Sequence, residues 1–274
     1  MKISAKTRMC IIIGDPVEHS LSPAMHNAAY NALGIENDFV FTAAHVLPEN
    51  LETAVKGVRA LGVRGLTCTI PHKVEVMKFL DSIDPVAKDI GAVNTVLNEN
   101  GILTGYNTDW VGAVTPLEQK TSLEGKKVAI LGAGGASRAI VYGVTQKKAT
   151  VTIYNRTLET AKTLAGEFKA HAKDMKDLSG LAHADIIINS TSVGMGDAAG
   201  VSLVPPEMLH KDQIVFDAIY KPHQTKLIKD ALTAGAEVVY GYEMLLHQGV
   251  AQFEIYTGKK APIDVMEEVL TSNL

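Results

Sequence analysis

The sequence predicts an α/β protein in two lobes, the second built on a doubly wound parallel sheet. Three observations predict it. The 274 residues suit two domains, or one large α/β unit, with ample core. Through the first hundred residues, strand-like and helix-like segments alternate. From Lys126 onward, "KKVAILGAGGASRAIVYGV", "ATVTIYN", "ADIIINS", "QIVFDAI" and "AEVVYG" supply five short apolar strands, most with helix-like spacers between them. Nearly unbroken Val/Ile runs of that kind belong to parallel strands covered on both faces.

Element by element, "MCIIIG" (9–14) reads as a strand and "SPAMHNAAYNALG" (22–34) as a helix with Ser22 as N-cap, Pro23 in the first turn and Gly34 as its stop. A strand at 38–46 and a helix at 48–62 follow, then a strand at 65–70 and a helix from Lys73 to Leu80. The stretch 92–107 reads as a hairpin turning at Asn100-Gly101. At the far end, 242–258 and 263–273 read as helices. The lobe boundary is expected near 108–122 and again near 241. That assigns 1–108 to the first domain, 109–241 to the second, and 242–274 to helices that return to the first.

A formal charge of −4 with no Lys/Arg cluster argues against a nucleic-acid partner. Cys10 and Cys68 lie apart in apolar runs, as small buried hydrophobes of a reducing cytoplasm do. The basic start "MKISAKTRMCIIIGDP" carries too short an apolar run for a signal peptide, and no stretch approaches bilayer length, so no membrane partner is expected. His19, His26, His45, His72 and His247 are scattered without metal-ligand spacing, and no metal is expected.

In "AILGAGGASRA" (129–139), Gly132, Gly134 and Ser137 fall on a G-x-G-x-x-(G/A) spacing directly after a strand and at the opening of a helix. Such glycines permit a tight turn and close approach of backbone to a pyrophosphate, which then sits on the helix N-terminus. Alone the pattern is weak; its strand-loop-helix setting makes it a Rossmann-type dinucleotide site rather than a plain turn. After the next strand stand Asn155, Arg156 and Thr157, with no carboxylate before Glu159. A guanidinium there pairs with a 2′-phosphate where an acid would repel it, which favours NADP(H), although a surface Arg after a strand is common.

Ketone reduction needs a proton partner for the alkoxide it generates. In the first lobe, "LTCTIPHK" ends in Lys73, and "GYNTDW" places Asp109 just after the hairpin, both at strand ends where α/β proteins put chemistry. If they converge, Asp109 would hold the ammonium while Lys73 gives and takes the proton. Spacing leaves the plainer roles open: a solvated cation at a helix start, and an N-cap for a helix at 110–117.

The whole chain resembles the shikimate dehydrogenase family, which includes the quinate/shikimate dehydrogenases. The resemblance rests on "GDPVEHSLSPAMHNAA" (14–29), "TIPHK" (69–73), "GAVNT" (91–95), "GYNTDW" (105–110), "GAGGASRA" (132–139), "NRT" (155–157), "NSTSVGM" (189–195), "FDAIYKPHQT" (216–225) and "YGYEMLLHQGVAQF" (240–253), in family order. It implies a substrate-binding lobe joined to a dinucleotide domain, and reversible NADPH-dependent reduction of 3-dehydroshikimate to shikimate on the route to chorismate. It also implies Lys73 and Asp109 as the catalytic pair. Ser20 and Ser22 match the family's donors to the substrate carboxylate; Thr69, Asn94 and Gln248 match its contacts to substrate hydroxyls, and Tyr220 another substrate-side position. Gly132, Ala133, Gly134, Gly135, Ala136, Asn155, Arg156, Thr157, Thr191, Ala218, Gly241 and Met244 fall on its cofactor side. A small acid is the partner implied, and a monomer or homodimer the assembly.

The sequence departs from the family pattern in two places. Thr67 and Cys68 stand where Asn-Val often precedes T-x-P-x-K, and Thr160 replaces a second basic residue that often follows "NRT". Ser22 accompanies shikimate in the family, where Thr or Gly accompanies quinate. The competing readings are a quinate dehydrogenase and, from another class, a non-catalytic dinucleotide-binding sensor.

Overall fold

The computed structural model describes residues 3–274, so the very start of the segment read for a leader lies outside the described residues. Two compact units emerge: the stretch up to Thr108 together with Gln248–Asn273, and Asp109–His247. No helix among the described residues is long and apolar enough to cross a membrane.

The first unit is built on a mixed sheet. Its strands are β1 (Arg8–Gly14), β2 (Phe39–His45), β3 (Gly65–Cys68), β4 (Ser82–Ile83), β5 (Thr95–Glu99) and β6 (Ile102–Tyr106), in the order β2-β1-β3-β5-β6-β4. Strands β1, β2 and β3 run parallel, β5 is antiparallel to β3 and β6, and β4 is parallel to β6. The hairpin forms as read: Asn100 (φ 54°) and Gly101 (φ 88°) both take the positive φ that a tight two-residue turn demands. Helices α1 (Ser22–Ala32), α2 (Leu51–Ala60) and α3 (Pro85–Ile90) complete the N-terminal part, with α2 preceded by a 3₁₀ turn at Pro48–Asn50.

The second unit opens with α4 (Asp109–Glu118) and continues β7 (Lys127–Leu131), α5 (Gly135–Gln146), β8 (Thr150–Asn155), α6 (Leu158–Phe168), β9 (His171–Asp174), β10 (Ile186–Asn189), β11 (Ile214–Asp217), α7 (Lys226–Thr233) and β12 (Glu237–Val239). Its sheet is parallel throughout in the order β12-β11-β10-β7-β8-β9, the doubly wound arrangement expected. Val128, Ile130, Ile140, Val151, Ile153, Ile186, Ile188 and Phe216 fill one of its core clusters. Helix α8 (Gly241–Thr257) begins in the second unit and ends in the first, where α9 (Ile263–Thr271) packs on α1.

The structure corrects three expectations. Residues 73–80 form no α-helix, only a 3₁₀ turn at Glu75–Phe79. The Lys73 carbonyl, which an α-helix would pair with the Met77 N–H, accepts instead from the Val93 N–H at 2.8 Å, and Met77 turns to the Val74 carbonyl at 3.3 Å. Ser22 is the first helical residue of α1 rather than its cap; Leu21 holds the cap position and no side chain caps the end. A sixth parallel strand, β9 ("HAKD"), lies at the sheet edge, where partial exposure removes the need for Val and Ile. Between β10 and β11 only 3₁₀ turns at Gly196–Ala198 and Pro206–Met208 replace a crossover helix.

Candidate active site

In the second unit, β7 and β10 are neighbours although β8 and β9 intervene in sequence, so the strand order reverses there. Open α/β sheets bind ligands outside the carboxyl ends of strands at such a point. The loop after β7 passes through Gly132 at φ +111°, a backbone conformation L side chains rarely adopt; a Cβ there would lie 2.8 Å from Ser190 Oγ and 3.0 Å from Thr191 Cγ2. Ser137 Oγ accepts from the Gly134 N–H at 3.0 Å and pairs with Ser190 Oγ at 2.8 Å, and Ser190 donates to the Leu131 carbonyl at 2.7 Å. The glycine loop and the loop after β10 are thus fastened together, and the exposed Gly134 leads into a 12-residue helix with no acid in its first turn. This cradle fits a pyrophosphate: backbone N–H groups, a helix N-terminus and no side chain in the way.

At the end of β8, the Asn155 amide donates to the Thr157 carbonyl at 3.0 Å and closes the turn that carries Arg156 outward. Arg156 is exposed and enters no ion pair among the described residues, so its guanidinium remains available to a phosphate.

The loops after β10 and β11 share one buried anchor. Asp217, fully buried, accepts from Asn189 Nδ2 at 3.0 Å, the Ile219 N–H at 3.1 Å and Thr225 Oγ1 at 2.7 Å. Asn189 in turn accepts from the Thr191 N–H and hydroxyl, and donates to the Val193 carbonyl. Burial pushes the Asp217 carboxyl up to about 6, against the pull of its three donors. The Ala218 N–H donates to the Asn189 carbonyl at 2.9 Å, and Gly241 packs on the Ile219–Tyr220 backbone so tightly that no Cβ could enter. Thr191, Ala218, Tyr220 and Gly241 therefore form one locality, with Met244 buried in the core behind it.

In the first unit, Thr69 follows β3 with its N–H on the Ile13 carbonyl at 3.0 Å, and its methyl packs where a side chain at Gly14 would stand. His72 turns inward: it is 1% exposed, and its Nε2 meets the Val46 carbonyl at 2.7 Å. With the His72 side chain latched and the Lys73 carbonyl pinned to Val93, the turn fixes the backbone from which the Lys73 side chain departs. Its ammonium works against the burial that pushes Cys68 up to about 12, so that thiol is inert packing.

Ser20 and Ser22 come together at the start of α1, the Ser22 N–H donating to Ser20 Oγ at 3.3 Å. That helix end carries no acidic residue in its first turn, so its dipole and open N–H groups suit an anion. Asn94 and Gln248 also meet, Asn94 Nδ2 to Gln248 Oε1 at 3.5 Å. Asp109, 4% exposed, is the first residue of α4 in the second unit. Sequence reasoning missed Asp217 and Asn189; the signal was an acid and an amide each closing an apolar strand.

Three family models match: the shikimate dehydrogenase substrate binding domain over residues 12–96, shikimate/quinate 5-dehydrogenase over 116–195, and the shikimate 5′-dehydrogenase C-terminal domain over 241–271. A shikimate dehydrogenase (NADP(+)) of Methanobrevibacter smithii is 43% identical over 282 residues, covering 99% of each chain. A crystal structure of a shikimate dehydrogenase in complex with NADP+ superposes with TM-score 0.93 at 42% identity, covering 99% of this chain and 97% of that one. The Thermus thermophilus shikimate 5-dehydrogenase in complex with NADP(H) and shikimate gives TM-score 0.90 at 34% identity, over 98% and 100% of the two chains.

Proposed function

Because the chain belongs to the shikimate dehydrogenase family, we propose that it catalyses the reversible reduction of 3-dehydroshikimate to shikimate with NADP(H). One observation carries the reading: 43% identity to a shikimate dehydrogenase (NADP(+)) across 99% of both chains, with the Gly132 cradle intact at the sheet's reversal point. The first unit takes the small acid and the second the dinucleotide. The two free, buried cysteines accord with a cytoplasmic setting, where the enzyme acts as a monomer or homodimer.

NADP(H), when bound, supplies or accepts the hydride. Gly132 to Ala136 and the start of α5 hold the pyrophosphate, Asn155, Arg156 and Thr157 the phosphorylated ribose, and Thr191, Ala218, Gly241 and Met244 the remaining half. Ser20 and Ser22 receive the carboxylate at the start of α1, where the helix dipole adds to their hydroxyls. Thr69, Asn94, Gln248 and Tyr220 orient the ring hydroxyls. Lys73 donates a proton to the carbonyl oxygen in reduction and recovers it in oxidation, with Asp109 balancing its charge. Following NADPH absorbance with shikimate or quinate against NADP+ or NAD+ tests all of this. Shikimate with NADP+ should give the highest kcat/KM; a dominant quinate rate would transfer the protein to the quinate branch, and no turnover with any combination would return it to the dinucleotide sensors.

A further inference from the structure

Behind Asn94, the first unit buries a line of polar side chains that the catalytic reading does not use. Tyr256 and Gln252 on α8, Thr67 on β3, and Thr95 at the start of β5 are each at most 4% exposed. Tyr256 Oη lies 2.9 Å from Thr67 Oγ1, which donates to Gln252 Oε1 at 3.4 Å. Gln252 Nε2 donates to Thr95 Oγ1 at 3.0 Å, and Thr95 Oγ1 donates to Asn94 Oδ1 at 2.7 Å.

The polarity of the chain follows outward from Asn94. The Thr108 N–H donates to Asn94 Oδ1 at 2.8 Å, so that atom is the carbonyl oxygen and Nδ2 faces Gln248 and the Thr108 hydroxyl. Asn94 Oδ1 can then only accept, so Thr95 spends its one proton on it and is left to accept from the Gln252 amide nitrogen. Gln252 Oε1 is left to accept from Thr67, and Thr67 to accept from Tyr256. Burial keeps the Tyr256 proton in place by raising its pKa well above the ordinary value, so the chain begins on a permanent donor.

We propose that Tyr256, Thr67, Gln252 and Thr95 form a one-way hydrogen-bond chain that positions the Asn94 carboxamide, and through it Gln248, for the substrate hydroxyls. This rests on the function proposed above. An apolar core of the same shape would be as stable or more so, since the net gain of a buried hydrogen bond is small while a broken one leaves an orphan. The chain ends on two candidate substrate residues, which gives its polarity a purpose: it holds Asn94 Nδ2 and the Gln248 amide in one orientation before substrate arrives, so neither must be ordered on binding. It also accounts for Thr67, whose hydroxyl is engaged by Tyr256 and Gln252 rather than by substrate.

The test compares Thr95→Val, which keeps shape and removes the hydroxyl, with Thr95→Ser, which keeps the hydroxyl, and with Tyr256→Phe at the far end. Shikimate Kd by calorimetry and steady-state constants are measured for each. Thr95→Val should raise shikimate Kd and KM by roughly 5- to 20-fold, with KM for NADP+ unchanged. Thr95→Ser should restore them to within about twofold, and Tyr256→Phe should raise them by about two- to fivefold. Wild type that neither binds nor oxidises shikimate overturns the function. Wild type that does both, with Thr95→Val or Tyr256→Phe indistinguishable from it or Thr95→Ser failing to rescue, overturns the chain alone.

Discussion

Replacing Asp217 by Asn should make the second unit more stable at neutral pH and should remove part of its pH dependence. Burial raises this carboxyl from 3.8 to about 6, a displacement of about two units, and each unit is worth about 1.4 kcal/mol. Because the folded pKa lies above the unfolded one, the group's contribution is fully present below pH 3.8 and is lost as pH rises through about 6. At pH 7 the ionised carboxylate therefore costs the fold about 3 kcal/mol relative to its neutral form. Asparagine reproduces that neutral form. Its carbonyl can accept from Asn189 and the Ile219 N–H, and its N–H can reach Thr225 Oγ1, provided that hydroxyl turns round to accept. Loss of charge-assisted bonding reduces the gain, leaving about 1–3 kcal/mol. Urea unfolding of both proteins from pH 4 to pH 8, followed by a probe in the second unit, gives the difference in stability at each pH. That difference should grow with pH and level off above about pH 7. A difference independent of pH would refute the reasoning, whatever its sign, because it would mean that Asp217 titrates alike folded and unfolded.

Lys73→Ala should lower kcat by ~10²–10⁴-fold while dinucleotide binding, measured by fluorescence titration, stays as in wild type; a rate within a few-fold of wild type would reassign the proton donor. Arg156→Ala should weaken NADP+ by about tenfold or more and leave NAD+ unaffected, and equal losses for both would remove the 2′-phosphate from its role. His26, wholly buried with its ring stacked on Phe41 at 4.4 Å and no hydrogen-bond partner for either nitrogen, is pushed down to about 3 by burial, with the nearby Gln252 amide opposing. Its depressed pKa contributes stability that is present above pH 6.5 and lost as pH falls towards 3, up to about 5 kcal/mol, so His26→Leu should move acid unfolding of the first unit to lower pH and an unmoved midpoint would count against it.

What the sequence made legible was whatever depends on near neighbours in the chain. The Gly132 turn, the Asn100-Gly101 hairpin, the apolar strands of the parallel sheet and helices α8 and α9 all announce themselves within a few residues. The 73–80 segment misled because its outcome turns on Val93, twenty residues away, which takes the Lys73 carbonyl that a helix would use. The inward turn of His72 was equally hidden, because its partner is the Val46 carbonyl, just past the end of another strand. Strand β9 escaped because an edge strand needs no apolar alternation, only a neighbour, and Thr152 to Asn155 provide it. The networks that hold the site were out of reach altogether. Asp217 finds Asn189 across 28 positions, and Thr95 finds Gln252 across 157.

The two units face different physical problems, and their buried polar groups differ accordingly. A polyhydroxy ring must be told apart by direction, since its hydroxyls both donate and accept. A neutral chain of defined polarity supplies direction without drawing in water or counter-ions, and in the first unit every link from Tyr256 to Asn94 is uncharged. A dinucleotide site needs loops held open against their own backbone, around a glycine that no side chain may replace. Three donors converging on one carboxylate give each bond more strength than neutral partners would, at the expense of burying a charge. Asp217 therefore ties the Asn189–Val193 and Ala218–Thr225 segments together at a stability cost that an amide would relieve. The departures from the family pattern obey the same division. Thr67 is engaged within the neutral chain by Tyr256 and Gln252, whereas Thr160 carries no charge beside Arg156, so of the two it is the cofactor side that should show the altered selectivity.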